Sequence, residues 1–167
     1  AAVGPSLRAN RRRAVAAAVP LALGCAVAVA LIPVSWARGQ LVVSSQPAFN
    51  GMPLARASEL EAARVRHGVR PREPVFFVTE RAGFLYLVTG ARNPTGYDWP
   101  AASNIGSQEI ASVAADVRTG AITNACFGGR HAFPTEPSLR PFSLERALAR
   151  GLRPVADAGP CILHRAG

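Results

Sequence analysis

Two cysteines in the C-terminal third of the chain are each followed closely by a histidine. His131 comes five residues after Cys126, and His164 comes three residues after Cys161. Two thiolates and two imidazoles are a ligand set that zinc accepts in tetrahedral sites, so a metal or redox module is one hypothesis. The spacing is unlike that of zinc fingers, in which like ligands are paired on a tight turn.

A disulfide between Cys126 and Cys161 is the alternative that we favour. Thiols oxidise outside the cytoplasm, and a bridge over this length of chain stabilises a small domain by roughly 3 to 4.7 kcal/mol in the chain-entropy model. The chain also lacks the C-x-x-C-H motif of covalently bound haem. We therefore predict no metal and no cofactor.

No sequence motif indicates a reaction. A G-x-S-x-G nucleophile motif is absent, and the acids that could act in pairs, such as Asp98, Glu109 and Asp116, are scattered along the chain. Gly128 and Gly129 could form an anion-binding nest, although a turn after a strand explains them equally well. We predict that the protein is not an enzyme and has no catalytic residues.

The remaining patterns predict an α+β domain with two short helices. The sequence SELE at residues 58–61 forms a capping box, which predicts a helix over residues 59–67 that ends at Gly68. A second short helix is predicted over residues 142–150, where Gly151 would end it.

Two β-hairpins are predicted between these helices. Residues 75–79 and 84–89 form the first, and residues 110–117 and 121–127 form the second, which would turn at Gly120. The result would be an antiparallel meander of about four strands. Both strands of the first hairpin are apolar on both faces. We therefore expect one face to meet a helix and the other a second sheet, a long loop or another subunit.

A long loop between the two hairpins contains two large aromatic residues. It spans residues 90–108 and includes Tyr97 and Trp99. Loops of this length in compact domains are often functional. We predict that Tyr97 and Trp99 contact a partner, or line a ligand pocket if the domain acts alone.

The charge of the chain limits its partners. All nineteen basic residues are arginine, and from Arg38 onward fifteen arginines face ten acids. These arginines are dispersed and are not interleaved with aromatic residues, so we predict no nucleic-acid partner. A dispersed basic surface instead suits an acidic soluble partner or anionic lipid.

Residues 14–37 contain no charged side chain. These twenty-four residues are enough to cross a hydrocarbon core of about 30 Å as a helix, so their length predicts a transmembrane anchor. A cleaved signal peptide ending near Ser35-Trp36-Ala37 is an alternative, and so is lipidation of Cys25.

Arginine asymmetry predicts the orientation of this anchor, with the N-terminus in the cytoplasm and Trp36 at the far interface. The four arginines that precede the anchor are Arg8, Arg11, Arg12 and Arg13. Small residues at every fourth position would let a neighbouring helix pack closely. They are Ala18, Ala22, Ala26 and Ala30.

The predicted organisation has four parts. They are a cytoplasmic basic tail (1–13), a transmembrane helix (14–37), a connector (38–57) and an extracytoplasmic α+β domain (58–167). We expect a single-pass protein of a bacterial inner membrane with a periplasmic domain. Its expected role is a non-catalytic accessory subunit that contacts the lipid bilayer and other membrane-protein subunits and braces or docks partners on the periplasmic side. A photosynthetic or respiratory electron-transport complex is one example. A free-standing ligand-binding or sensing domain is the alternative, followed by the metal or redox module.

Overall fold

The computed structural model describes Val34 and residues 36–167, so that residues 1–33 and Ser35 lie outside the described part. The chain divides into two compact units, residues 1–42 and residues 43–167. In the described part of the first unit, the Arg38 N–H donates to the Val34 carbonyl at 3.0 Å and closes one helical turn.

The predicted transmembrane anchor must be corrected. Within residues 34 and 36–167, the structure contains no helix that is both long enough and apolar enough to cross a bilayer. Residues 14–33 and Ser35 of the predicted segment lie outside the described residues, and so do the predicted arginine tail and the alanine stripe. We therefore withdraw the single-pass anchor, the inner-membrane location and the periplasmic orientation that followed from it.

Strand β1 (Leu41–Val43) spans the boundary between the two units. The second unit is an α+β domain with four α-helices. Its elements in chain order are β2 (Pro53–Ala55), α1 (Arg56–Gly68), β3 (Phe76–Phe77), α2 (Ala82–Thr89), α3 (Ser107–Thr119), β4 (Asn124–Phe127), a 3₁₀ turn (Pro137–Leu139), α4 (Phe142–Ala149), β5 (Leu152–Asp157) and β6 (Ile162–Ala166).

Four strands form a mixed sheet in the order β3-β4-β6-β5. Strand β3 is parallel to β4, with Phe76 opposite Ala125, whereas β4 and β5 are both antiparallel to β6. The predicted antiparallel meander is therefore wrong, because β3 and β4 run in the same direction and two helices lie between them in the chain.

Each face of this sheet is covered by a pair of helices. Phe77 and Cys126 belong to a buried cluster with residues of α1 and α2, while their neighbours Phe76 and Ala125 belong to a second cluster with residues of α3 and α4. Successive residues of a strand point to opposite faces, so apolar strands with two buried faces follow directly. The sequence did not decide which element covers the second face of the sheet. That element is the pair of helices α3 and α4.

The second strand of the first predicted hairpin is helix α2. Its residues Leu85 and Val88 are buried, and Gly90 ends it with φ 65° while donating its N–H to the Tyr86 carbonyl at 2.9 Å. The Tyr86 hydroxyl then reaches back to β3, where it accepts from the Phe77 N–H at 3.2 Å. A short apolar run fits a buried helix as well as a buried strand, and tertiary packing decided between them.

The first strand of the second predicted hairpin is part of helix α3. Ile110, Val113 and Val117 pack in the second core cluster at helical spacing. At the start of the helix, the Glu109 carboxylate accepts from the Gly106 N–H at 3.0 Å. Gly120 has φ 78°, the left-handed conformation that was predicted, but it ends a helix and does not turn a hairpin.

Helices are present at both places where the sequence predicts them, although α1 begins earlier than expected. It starts at Arg56, with Ala55 in the N-cap position and no side-chain capping bond. Ser58 and Glu61 therefore lie inside the helix, and the predicted capping box is wrong. Both side chains instead contact Arg81.

Candidate functional site

A pocket of about 350 Å³, here called the α1 pocket, opens beside the first turns of α1. Its walls come from α1, from Arg81 just before α2, from the segment after β4 and from the turn between β5 and β6. The lining residues are Ala57, Leu60, Glu61, Arg64, Arg81, His131, Pro134, Gly159 and Pro160.

The disulfide joins two of these walls. Cys126 and Cys161 are bonded, with their Cα atoms 5.4 Å apart and a sequence separation of 35 residues. Cys126 lies in β4 just before the segment that carries His131, and Cys161 directly follows the wall residue Pro160. Both cysteines are buried. The bridge therefore holds the base of the pocket together.

Glu80 anchors the segment that carries His131. Its N–H donates to the Ala132 carbonyl at 2.7 Å, and its carboxylate accepts from the Thr135 N–H at 2.9 Å. This hydrogen bond is the main cause that lowers the pKa of Glu80 below its ordinary value. Glu80 therefore fixes the loop on both sides of Pro134 in the pocket wall.

Arg81 connects α1 with the start of α2. One of its terminal nitrogens pairs with the Glu61 carboxylate, and the other donates to the Ser58 hydroxyl at 3.0 Å. Ser58 and Glu61 are three residues apart on α1 and thus lie on the same face of the helix. The guanidinium also lies 4.4 Å from the ring centroid of Phe84, within cation–π range.

Burial raises the pKa of Glu61 above its ordinary value. The neighbouring charges of Arg81 and His131 act in the opposite direction but are outweighed by desolvation. A carboxyl group with a raised pKa, lying in a cleft beside a charged partner, is typical of functional sites. The pocket therefore has a carboxyl group that takes up a proton at a higher pH than an exposed glutamate does.

Arg64 and His131 are exposed at the pocket and have no hydrogen-bond or ion-pair partner among the residues that the structure describes. The stem of Arg64 crosses Gly159, where an added Cβ would lie 3.1 Å from the Arg64 Cδ. Gly159 also has φ 91°, which disfavours any other residue. The turn before Cys161 thus leaves room for the Arg64 side chain.

The charges of the pocket are unbalanced. Arg81 offsets Glu61, which leaves Arg64 as a cation without a partner among residues 34 and 36–167, next to His131. Among the lining residues there is no hydroxyl or thiol that could act as a nucleophile. The arrangement can therefore hold an anionic group.

No family model, curated protein or solved structure matches this chain. Its function has to be argued from these residues alone.

The four residues of the predicted Cys-His constellation do not form one site. The two thiols are used in the disulfide, which leaves neither of them as a thiolate ligand for a metal. His131 lines the α1 pocket, whereas His164 stacks on Phe127 with ring centroids 3.8 Å apart. The His164 Nδ1 lies 2.8 Å from the Ile162 carbonyl oxygen.

The two glycines for which the sequence left an anion-binding nest or a plain turn open contact a carboxylate and an arginine of the protein itself. Gly128 and Gly129 both have positive φ, and the Gly128 N–H donates to Glu145 Oε1 at 3.3 Å. Arg140 completes the arrangement by pairing with Glu145 at 2.9 Å and donating to the Gly129 carbonyl at 3.2 Å. This position is therefore filled from within the fold.

The aromatic residues of the long loop lie apart from the α1 pocket. Tyr97 packs partly buried against the second core cluster, and Trp99 is 43% exposed. Side-chain amides order the loop, since Asn93 donates to the Tyr97 carbonyl at 3.0 Å and Asn104 donates to that of Trp99 at 2.6 Å. Partner contact by Tyr97 and Trp99 stays a prediction.

Sequence reasoning missed Glu61, Arg64 and Arg81 as site residues. Glu61 was assigned to a capping box, and Arg81 was placed in a hairpin turn. The one available signal was the three-residue spacing of Ser58, Glu61 and Arg64, which places these polar side chains on one face of α1.

Proposed function

We propose that this domain binds a small molecule through an anionic group, a carboxylate or a phosphate, in the α1 pocket. The observation that carries the proposal is the pair of cationic side chains, Arg64 and Arg81, facing a single carboxylate that burial already predisposes to neutralisation. A volume of about 350 Å³ is within the range of small-ligand pockets.

The proposed role is binding. The lining supplies charge and apolar surface for it. This proposal corresponds to the ligand-binding alternative inferred from the sequence, without the membrane anchor. The accessory-subunit role stays a prediction, and only its partner-docking part has separate support on another surface of the domain.

Calorimetric titration with phosphate, citrate and acetate tests the proposal and separates phosphate from carboxylate ligands. Arg64→Gln should weaken binding of the preferred anion about tenfold, because it removes the cation that has no partner among the described residues. Arg56→Gln is the matched control, since Arg56 is an exposed arginine on the same helix outside the pocket. It should change the affinity by less than about twofold.

Two outcomes would refute the proposal. One is the absence of measurable binding of all three anions at low ionic strength. The other is an equal loss of affinity in Arg64→Gln and Arg56→Gln, because that result would indicate a general effect of net charge and not a site.

A further inference from the structure

A second concave surface lies between helices α3 and α4 and has a volume of about 610 Å³. Its lining comes from these two helices and from Arg150 directly after α4, and it shares no residue with the α1 pocket. The lining residues of this α3–α4 groove are Ser107, Ile110, Ala111, Ala114, Arg118, Ser143, Arg146, Ala147 and Arg150. On both helices they recur at three- or four-residue steps, so each helix contributes one continuous face.

The charged residues of the groove lining are all arginines. Arg118, Arg146 and Arg150 are exposed along it, and no acidic residue lines it. Two nearby acids on the same helices are occupied elsewhere: Glu109 accepts from the Gly106 N–H, and Glu145 pairs with Arg140. The three arginines therefore face no competing carboxylate in the groove lining.

The floor of the groove is made of small apolar side chains. Ala111, Ala114 and Ala147 are part of the lining, and so is Ile110. Small residues let the backbone of a third helix approach closely, and the arginines along the groove would meet its polar flank. No aromatic side chain lines the groove for stacking with nucleic-acid bases.

We propose that the α3–α4 groove docks an acidic amphipathic helix of a partner protein. A second copy of this chain is a poor occupant, because most acids of the described domain are already bound within it. Glu61, Glu73 and Glu145 form ion pairs with arginines, and Glu59 is hydrogen-bonded to Ser45. Residues 1–33 offer no acid either.

Charge complementarity therefore points to a separate acidic chain. Because the groove shares no residue with the α1 pocket, this proposal holds or fails independently of anion binding there.

The test is an NMR titration of the ¹⁵N-labelled protein with a synthetic helix of about 20 residues made of Glu, Ala and Leu, with the leucines on one face. The expected result is a set of shift changes confined to α3 and α4. Changing both Arg146 and Arg150 to Ala should weaken binding at least about tenfold. The matched control changes Arg56 and Arg153, two exposed arginines outside the groove, and should have less than about a twofold effect.

The next measurements distinguish recognition of an amphipathic helix from recognition of negative charge alone. A scrambled peptide of the same composition, which is not amphipathic, should bind much more weakly. Equal binding of the scrambled peptide would overturn the proposal. Tighter binding of single-stranded DNA at the same residues would also overturn it, and so would the absence of any shift change in α3 and α4.

Discussion

Arg81 pairs with Glu61 and thereby links the start of α2 to the first turns of α1. The same guanidinium binds the Ser58 hydroxyl and lies over the Phe84 ring, so its position is set on three sides. This anchored ion pair forms one wall of the α1 pocket, and it neutralises the only carboxylate of the lining. The proposed preference for anions follows from this pairing.

The affinity of the pocket for anions should increase as the pH falls. Burial raises the pKa of Glu61 above its ordinary value of 4.5, so the carboxylate gains a proton earlier than an exposed glutamate would. The neutral form no longer repels a bound anion and leaves Arg81 free to contact it.

Calorimetry with citrate is unsuitable for this pH series because citrate itself titrates, so the series should use sulfate. An affinity that falls on acidification would contradict this role of Glu61.

Glu61→Gln should imitate the protonated state at neutral pH. We expect anion affinity at neutral pH to rise about three- to tenfold and its pH dependence to weaken, because the charge that opposes the anion is gone. The free energy of unfolding should change by less than about 1 kcal/mol, since the burial cost of the Glu61 carboxylate outweighs its attraction to Arg81. Glu109→Gln is the matched control on α3, and it should change neither the affinity nor its pH profile. Unchanged affinity in Glu61→Gln would argue against a ligand beside this residue.

Reduction of the Cys126–Cys161 bond should destabilise the domain by about 4 kcal/mol, the chain-entropy value for a separation of 35 residues. Because both cysteines adjoin walls of the α1 pocket, anion binding should weaken as well. Denaturant unfolding of the oxidised protein and of a double Cys→Ser variant measures the first effect. Equal stability of the two forms would contradict it.

The domain should lose stability as the pH falls below 6.5, before most carboxylates titrate. His164 is 8% exposed, and burial lowers its pKa below 6.5 in the folded state. The unfolded chain therefore takes up this proton at a higher pH than the folded one, which favours unfolding on acidification. His164→Gln should reduce the loss seen in urea unfolding between about pH 7.5 and 5. The control is His67→Gln, at an exposed histidine. This variant should lose as much stability over the same pH range as the unmodified protein does.

Local signals predicted part of this fold well. Gly68 and Gly151 mark the ends of α1 and α4 closely, and the apolar character of the first strand on both faces indicated a sheet covered on two sides. Cys126 and Cys161 could be chosen as partners because Cys25, the third cysteine, lies in the uncharged segment. The choice also assumed an oxidising environment. These features depend on composition and on residues that are neighbours in the chain.

Helix α2 could not be predicted so easily, because Phe84 to Thr89 is rich in strand-forming residues and its helical state depends on contacts with distant elements. Tyr86, for example, reaches β3 through its hydroxyl. The α1 pocket was missed for the same reason, since Arg81 is brought to Glu61 only when α2 folds against α1. Helix α3 was open to prediction, since Ile110, Val113 and Val117 recur at helical spacing among alanines.

The most direct test of anion binding is an NMR titration of the ¹⁵N-labelled protein with phosphate. We predict that the largest shift changes occur at the side-chain Nε–H of Arg64 and Arg81 and at the backbone of His131, and that they saturate. Changes that are absent, that fail to saturate or that centre on Arg56 or Arg153 would contradict the account.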